Sequence, residues 1–135
     1  MNIWNRQTTA QMAPFVLRLV LGLIFLAHGL SKFAHLAGTI ATFTKIGVPL
    51  PGFAGPTIAL LEVLGGLALI LGLGLATRIL AFLLAIDMLC AILLAKRSSG
   101  FVGGYEFELL LLAALLALVF SGPGRLALMR EKDAV

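Results

Sequence analysis

The stretch PFVLRLVLGLIFLAHGLSKFA, residues 14–34, decides the fold. Only Arg18, His28 and Lys32 interrupt its apolar character. As a helix rising 1.5 Å per residue it spans about 30 Å, the thickness of a bilayer's hydrocarbon core. Three further runs match it: 56–75 (PTIALLEVLGGLALILGLGL), 78–95 (RILAFLLAIDMLCAILLA) and 105–121 (YEFELLLLAALLALVFS). The 135 residues are 61% hydrophobic and 12% charged, with a mean hydropathy of +1.10. A water-soluble domain is about 45–50% apolar and about 25% charged, and one built like this would expose far more greasy surface than a monomer tolerates. The sequence therefore predicts an all-α integral membrane four-helix bundle, a single domain over 1–135. The first run is too long for a signal-peptide core of about 7–15 residues, and no small-x-small cleavage site follows, so it is expected to stay as the first span.

The connections are short. Pro14 and Pro56 stand where a first helical turn accepts proline. GLGLAT at 72–77 makes a tight hairpin of spans two and three, KRSSGFVGG at 96–104 is a longer polar link, and GPGR at 122–125 stops the last span. Between the first two spans, HLAGTIATFTKIGVPLPGFAG (35–55) repeats Leu36, Ile40, Phe43 and Ile46 at roughly helical spacing. That pattern reads as a short amphipathic segment lying at the interface and ended by the PLPG turn, although its Pro and Gly density fits a packed loop as well.

The net charge of +4 and pI near 9.9 come from basic residues at segment ends, not from a patch, so no nucleic-acid partner is expected. Four spans return both termini to one side. That side carries Arg6, Arg18, Arg78, Arg125, Arg130 and Lys132, against Lys32, Lys45, Lys96 and Arg97 opposite. The bias favours cytoplasmic termini in a multi-pass protein of the cell inner membrane.

The ionisable residues inside the spans need explaining. Each costs about 2.5–3.5 kcal/mol at mid-membrane, so those that persist usually face the bundle interior and find partners. Entering from the cytoplasm, His28 and Glu62 fall at about the same depth, roughly 9 Å below the outer surface, and Asp87 at roughly 12 Å. Lys32 shares a helix face with His28, and Glu106 and Glu108 lie at the outer mouth of span four. His28, Lys32, Glu62, Asp87 and Glu106 thus gather in the outer half as candidates for binding or proton relay. Gly29, Gly65 and Gly66 are candidates for close helix packing. Plainer roles stand beside these. Lys32 and Arg18 can snorkel to headgroups, with Arg18 and Arg78 serving as cytoplasmic-side charge. Glu106 and Glu108 can be interfacial, and being two apart they cannot both face inward. Glu62 and Asp87 can form a network that only holds helices together.

Other chemistry lacks its residues. His28 and His35, seven apart on one stretch, cannot clamp a haem within one chain. Zinc needs three or four ligands, and two histidines with a lone Cys90 do not supply them, so no metal is expected. Cys90 excludes an internal disulfide or a CxxC pair and reads as a small core residue. No phosphate-binding loop or nucleophile elbow is present. What remains is a polar pocket open to one membrane face. It suits a quinone headgroup, whose oxygens hydrogen-bond to His and carboxylate groups while its tail lies among helices, or another amphiphile or lipid.

RLVLGLIFLAHGLSKF (18–33), IGVPLPG (46–52), LLEVLGGLALILGLGLATR (60–78), AIDMLCAI (85–92), GGYEFELLLL (103–112) and GPGR (122–125) resemble the DoxX family of small four-span membrane proteins, in order over nearly the whole chain. The resemblance implies association with membrane redox systems. The family takes its name from a subunit of an archaeal terminal quinol oxidase, related to a thiosulfate:quinone oxidoreductase, and a mycobacterial relative is the membrane part of a complex with soluble redox enzymes. It places the family's recurrent polar positions on Arg18, His28, Gly29, Lys32, Glu62, Gly65, Gly66, Arg78, Asp87 and Glu106. The family often follows GPG with Ser-x-Asp. Here Ala127 and Met129 stand in that region, which puts a docking role for the tail in doubt. The implied function is an inner-membrane subunit of a quinone-linked oxidoreductase system, with no covalent cofactor and with an active or a non-catalytic role both open. The alternatives are an anchor for soluble redox enzymes and a transporter working as a homo-oligomer.

Overall fold

The computed structural model describes residues 6–130, with side chains from Thr9 onward. Lys132 and the Arg6 side chain, both counted above toward the inner face, lie outside the described residues. Five helices run in order: α1 Arg6–Ala34, α2 Leu36–Lys45, α3 Pro51–Leu71, α4 Leu75–Ala91 and α5 Glu106–Ser121. Among the described residues there is no strand, only a parallel bridge between Leu73 and Met129. Four stretches, Thr9–Ala34, Pro51–Leu71, Leu75–Ser99 and Phe101–Ser121, are long and apolar enough to cross a membrane. Val16, Val20, Leu23 and Leu30 on α1 and Leu60, Leu64, Leu67 and Leu71 on α3 are exposed at helical spacing. A stripe like that is a lipid-facing surface. The protein is a membrane protein built as a four-helix bundle, with α2 as the short amphipathic element between the first two spans.

Several element boundaries differ from the sequence expectation. Helix α1 begins at Arg6, so Pro14 lies inside it and removes one N–H from its ladder. Helix α3 begins at Pro51, not Pro56, because Leu50 turns left-handed (φ 49°) and its carbonyl accepts from Phe53 and Ala54 N–H. It ends at Leu71, where Gly72 takes φ 71° and donates to Ala68 O. Helix α4 therefore starts at Leu75, and Thr77 locks the link: its hydroxyl accepts from Leu73 N at 2.7 Å and donates to Ala68 O at 3.2 Å. Past Ala91 the chain widens into a π-type turn at Ile92–Lys96 and a short 3₁₀ turn at Arg97–Ser99, and then kinks through a non-helical link at Val102–Gly104, where Gly103 takes φ 72°. The segment 36–45 is helical, and Gly47, ahead of PLPG, ends it. With φ 82° there, Val48 N bonds Phe43 O at 2.9 Å and Gly47 N bonds Thr44 O at 3.3 Å, the paired bonds of a Schellman cap.

Helix α1 packs along α3, and α4 along α5, with α3·α4 and α1·α5 closing the ring. The α1–α3 seam brings backbones into contact. A Cβ on Gly22 would meet Gly66 O at 2.7 Å, one on Gly66 would meet Leu26 N at 2.6 Å, and one on Gly29 would meet Val63 N at 2.7 Å. Leu21, Leu69, Ala81, Leu84, Leu115 and Leu118 fill the inner part of the bundle tightly. Toward the end opposite the C-terminal tail, Phe25, Met88 and Leu111 form the floor of an open cavity.

Candidate functional site

The cavity encloses about 410 Å³, within the range of small-ligand sites. Its walls are mostly apolar: Ile24, Ile58, Ala91 and Leu94 come from the spans, while Phe43 and Pro49 from α2 and its turn cover it. The polar groups come from four spans: His28 and Lys32 on α1, Glu62 on α3, Asp87 on α4 and Glu108 on α5. Apart from Glu106, these are the acidic and basic residues that matching depth singles out.

Lys32 Nζ donates to both oxygens of Glu62, at 2.7 and 2.9 Å. Glu62 is 2% exposed, so the pair is held on the carboxylate side within the bundle, and Lys32 turns inward to it. The Asp87 carboxyl, half-buried, lines the same cavity beside Glu62 and Lys32. The cluster therefore joins two carboxyls and an ammonium across three helices. His28 Nδ1 donates to Ile24 O at 2.7 Å, so Nε2 is the ring atom left without that bond.

Glu106 is the one candidate placed elsewhere. Its Oε1 accepts from Gly103 N at 3.0 Å, folding back over the first turn of α5, and Glu108 takes the cavity wall instead. The spacing of Glu108, Leu111, Leu115 and Leu118 repeats one helix face, and the three leucines on it are buried. That spacing is present in the sequence and marks Glu108 over Glu106. Glu108 Oε1 is 3.8 Å from Lys96 Nζ, a loose ion pair at the cavity rim. Thr42, on α2, also reaches the cavity, which an interfacial reading of α2 misses.

Arg18 does not snorkel. It is fully buried, and its guanidinium donates to Leu69 O (3.0 Å), Ile70 O (3.5 Å) and Leu126 O (2.8 Å) while lying over the Phe15 ring. The first two are carbonyls of the last turn of α3, which have no partner within the helix. Arg78 does the same for α5, donating to Val119 O at 2.7 Å and Phe120 O at 3.5 Å. Both arginines cap helix ends, and for Arg18 this replaces the snorkelling alternative. The tail is bound through its backbone, with Leu128 N to Leu71 O (3.0 Å) and Met129 N to Gly72 O (2.9 Å), so Ala127 and Met129 dock without polar side chains. Of the packing glycines, Gly29 and Gly66 serve the α1 seam, whereas Gly65 receives Leu84 of α4.

Fold and site together define a small four-span membrane protein with an amphiphile-sized pocket in one half of its bundle. A family model described as DoxX matches residues 13–97. The chain is 41% identical to "Putative oxidoreductase CatD" of Bacillus subtilis over 87% of this chain and 85% of that one. It is 35% identical to "Uncharacterized membrane protein Rv3486" of Mycobacterium tuberculosis over 95% of this chain and 87% of that one. No solved structure matches the chain significantly. The protein belongs to the DoxX family.

Proposed function

We propose that the protein is a quinone-interacting subunit of a membrane oxidoreductase system in the cell inner membrane, with both termini cytoplasmic. The observation that carries this reading is the cavity: apolar walls for a tail and ring, ending in a cluster of His28, Lys32, Glu62 and Asp87 that can exchange a proton. A quinone is such a molecule, an apolar body whose oxygens take up or lose protons as its redox state changes. The oxidoreductase name of the Bacillus subtilis relative supports the same class of chemistry. Electrons would come from a soluble redox enzyme docked at the membrane, the chain itself contributing the lipid-side site and working as a homo-oligomer.

The test is reconstitution in nanodiscs and titration with a short-tailed benzoquinone or naphthoquinone. Saturable binding is expected, weakened about tenfold or more by Glu62→Gln, which removes the charge holding Lys32 in place. Absence of saturable binding, or identical binding by the variant, contradicts the proposal.

A further inference from the structure

The cavity is roofed by an element with little holding it. No residue of α2 is buried. Its packing is against α3, with a lighter contact on α1, so it is held along one edge. The closest point of that packing is one side chain deep. Ile40 lies over Gly55 of α3, where an added Cβ would come within 3.0 Å of Ile40 Cγ1. Both ends of α2 are joints. His35 leaves helical geometry at φ −125° and ψ 45°, and Gly47 (φ 82°) and Leu50 (φ 49°) turn left-handed before α3 begins. A short helix between two joints, with few buried contacts, can open while the rest of the fold stays closed.

What α2 separates is visible on its two sides. A second groove, of about 370 Å³, adjoins the cavity between the end of α1 and α2. Ser31, His35 and Thr39 line it, so water wets it. Lys32, Thr42 and Phe43 line both spaces, and the wall between them is therefore one layer of side chains. Directly behind that wall stands the Lys32–Glu62 pair. Elsewhere the exposed lining of the cavity, Leu94 and Phe107, is apolar. The polar way into the cavity runs past α2.

We propose that α2 is a lid, which lifts from Gly55 on joints at His35 and Gly47 and merges the polar groove with the cavity. Closed, Phe43 and Ile46 keep water from the Lys32–Glu62 pair, whose attraction is stronger in a drier setting. Open, it brings that pair and the cavity's contents into contact with water, a motion of the kind that gates enclosed sites. The role holds whatever molecule the cavity takes.

Cys90, the sole cysteine of the chain, lines the cavity and reports the opening. A trimethylammonium-bearing thiosulfonate does not dissolve in hydrocarbon, so it reaches Cys90 by the polar way. Its rate of reaction with Cys90 is read by mass spectrometry of the full chain in nanodiscs. Ile40 and Gly55 approach closely enough for cysteines at the two positions to form a disulfide. In the oxidised Ile40→Cys, Gly55→Cys protein the lid is latched, and Cys90 is expected to react about tenfold or more slowly than in the wild type. Ile40→Ala removes the side chain seated on Gly55 without altering α3, and is expected to speed the reaction about fivefold or more. If the disulfide does not form, Ile40→Ala decides alone. Equal rates in wild type and variants overturn the proposal, and so does a Cys90 that stays unreactive in all of them.

Discussion

Replacing Lys32 with methionine leaves Glu62 buried against Asp87 with no cation to balance them. Breaking a buried pair from one side costs about 3–5 kcal/mol, whereas removing both partners costs far less. Lys32→Met is therefore expected to lower unfolding stability in detergent strongly, and Lys32→Met with Glu62→Leu to recover most of the loss. Additive losses in the double variant would mean the two residues are not coupled. Arg18→Met should cost about 3 kcal/mol in the same assay, because the last carbonyls of α3 and Leu126 O lose their donors. The cluster of Lys32, Glu62 and Asp87 is legible in sequence because charge at membrane depth demands a partner, and equal depth says which partners are within reach. The caps are not legible. Arg18 and Arg78 look like headgroup anchors until the ends of α3 and α5 are seen beside them, since unpaired helix carbonyls carry no residue signature. Glu108 stands between: its spacing to Leu111 and Leu115 marks the inward face, but its place at the mouth of a span disguises it.

Between elements, glycine separates two kinds of position. Gly22 and Gly66 lie where α1 and α3 touch through backbone atoms, so leucine at either should abolish folding into the native bundle. Gly38, on α2, has no atom within 4 Å of where a Cβ would stand. Alanine there removes the backbone freedom of glycine from a helix interior, and a gain of about 0.5–1 kcal/mol is expected by thermal unfolding. A loss would mean that α2 packs more closely than its open face indicates. The span count is legible because apolar length is a strong signal. Boundaries are less so: the GG pair at 65–66 reads as one packing face, yet adjacent helical residues point about 100° apart and serve two neighbours. The start of α3 was hidden because Leu50, not a glycine, takes the left-handed turn.

For the molecule as a whole, the end that holds the C-terminal tail is closed and the opposite end is hollow. Arginine caps, the docked tail and a tight leucine core seal one half, while the carboxyls and the cavity occupy the other. Gly38 and Arg125 stand at opposite ends, so labelling them reports the orientation expected from cytoplasmic termini. In a Cys90→Ser background, Gly38→Cys in intact cells should react with a membrane-impermeant maleimide and Arg125→Cys should not; the reverse pattern would invert the topology. The most direct measurement of the account is native mass spectrometry of the protein released from its own lipids. The wild type is expected to carry about one quinone-class molecule per chain, and Ala91→Phe, which fills the cavity from α4, to carry none while remaining folded. A wild type that retains only phospholipid, or a filled variant that holds its quinone unchanged, would contradict the account.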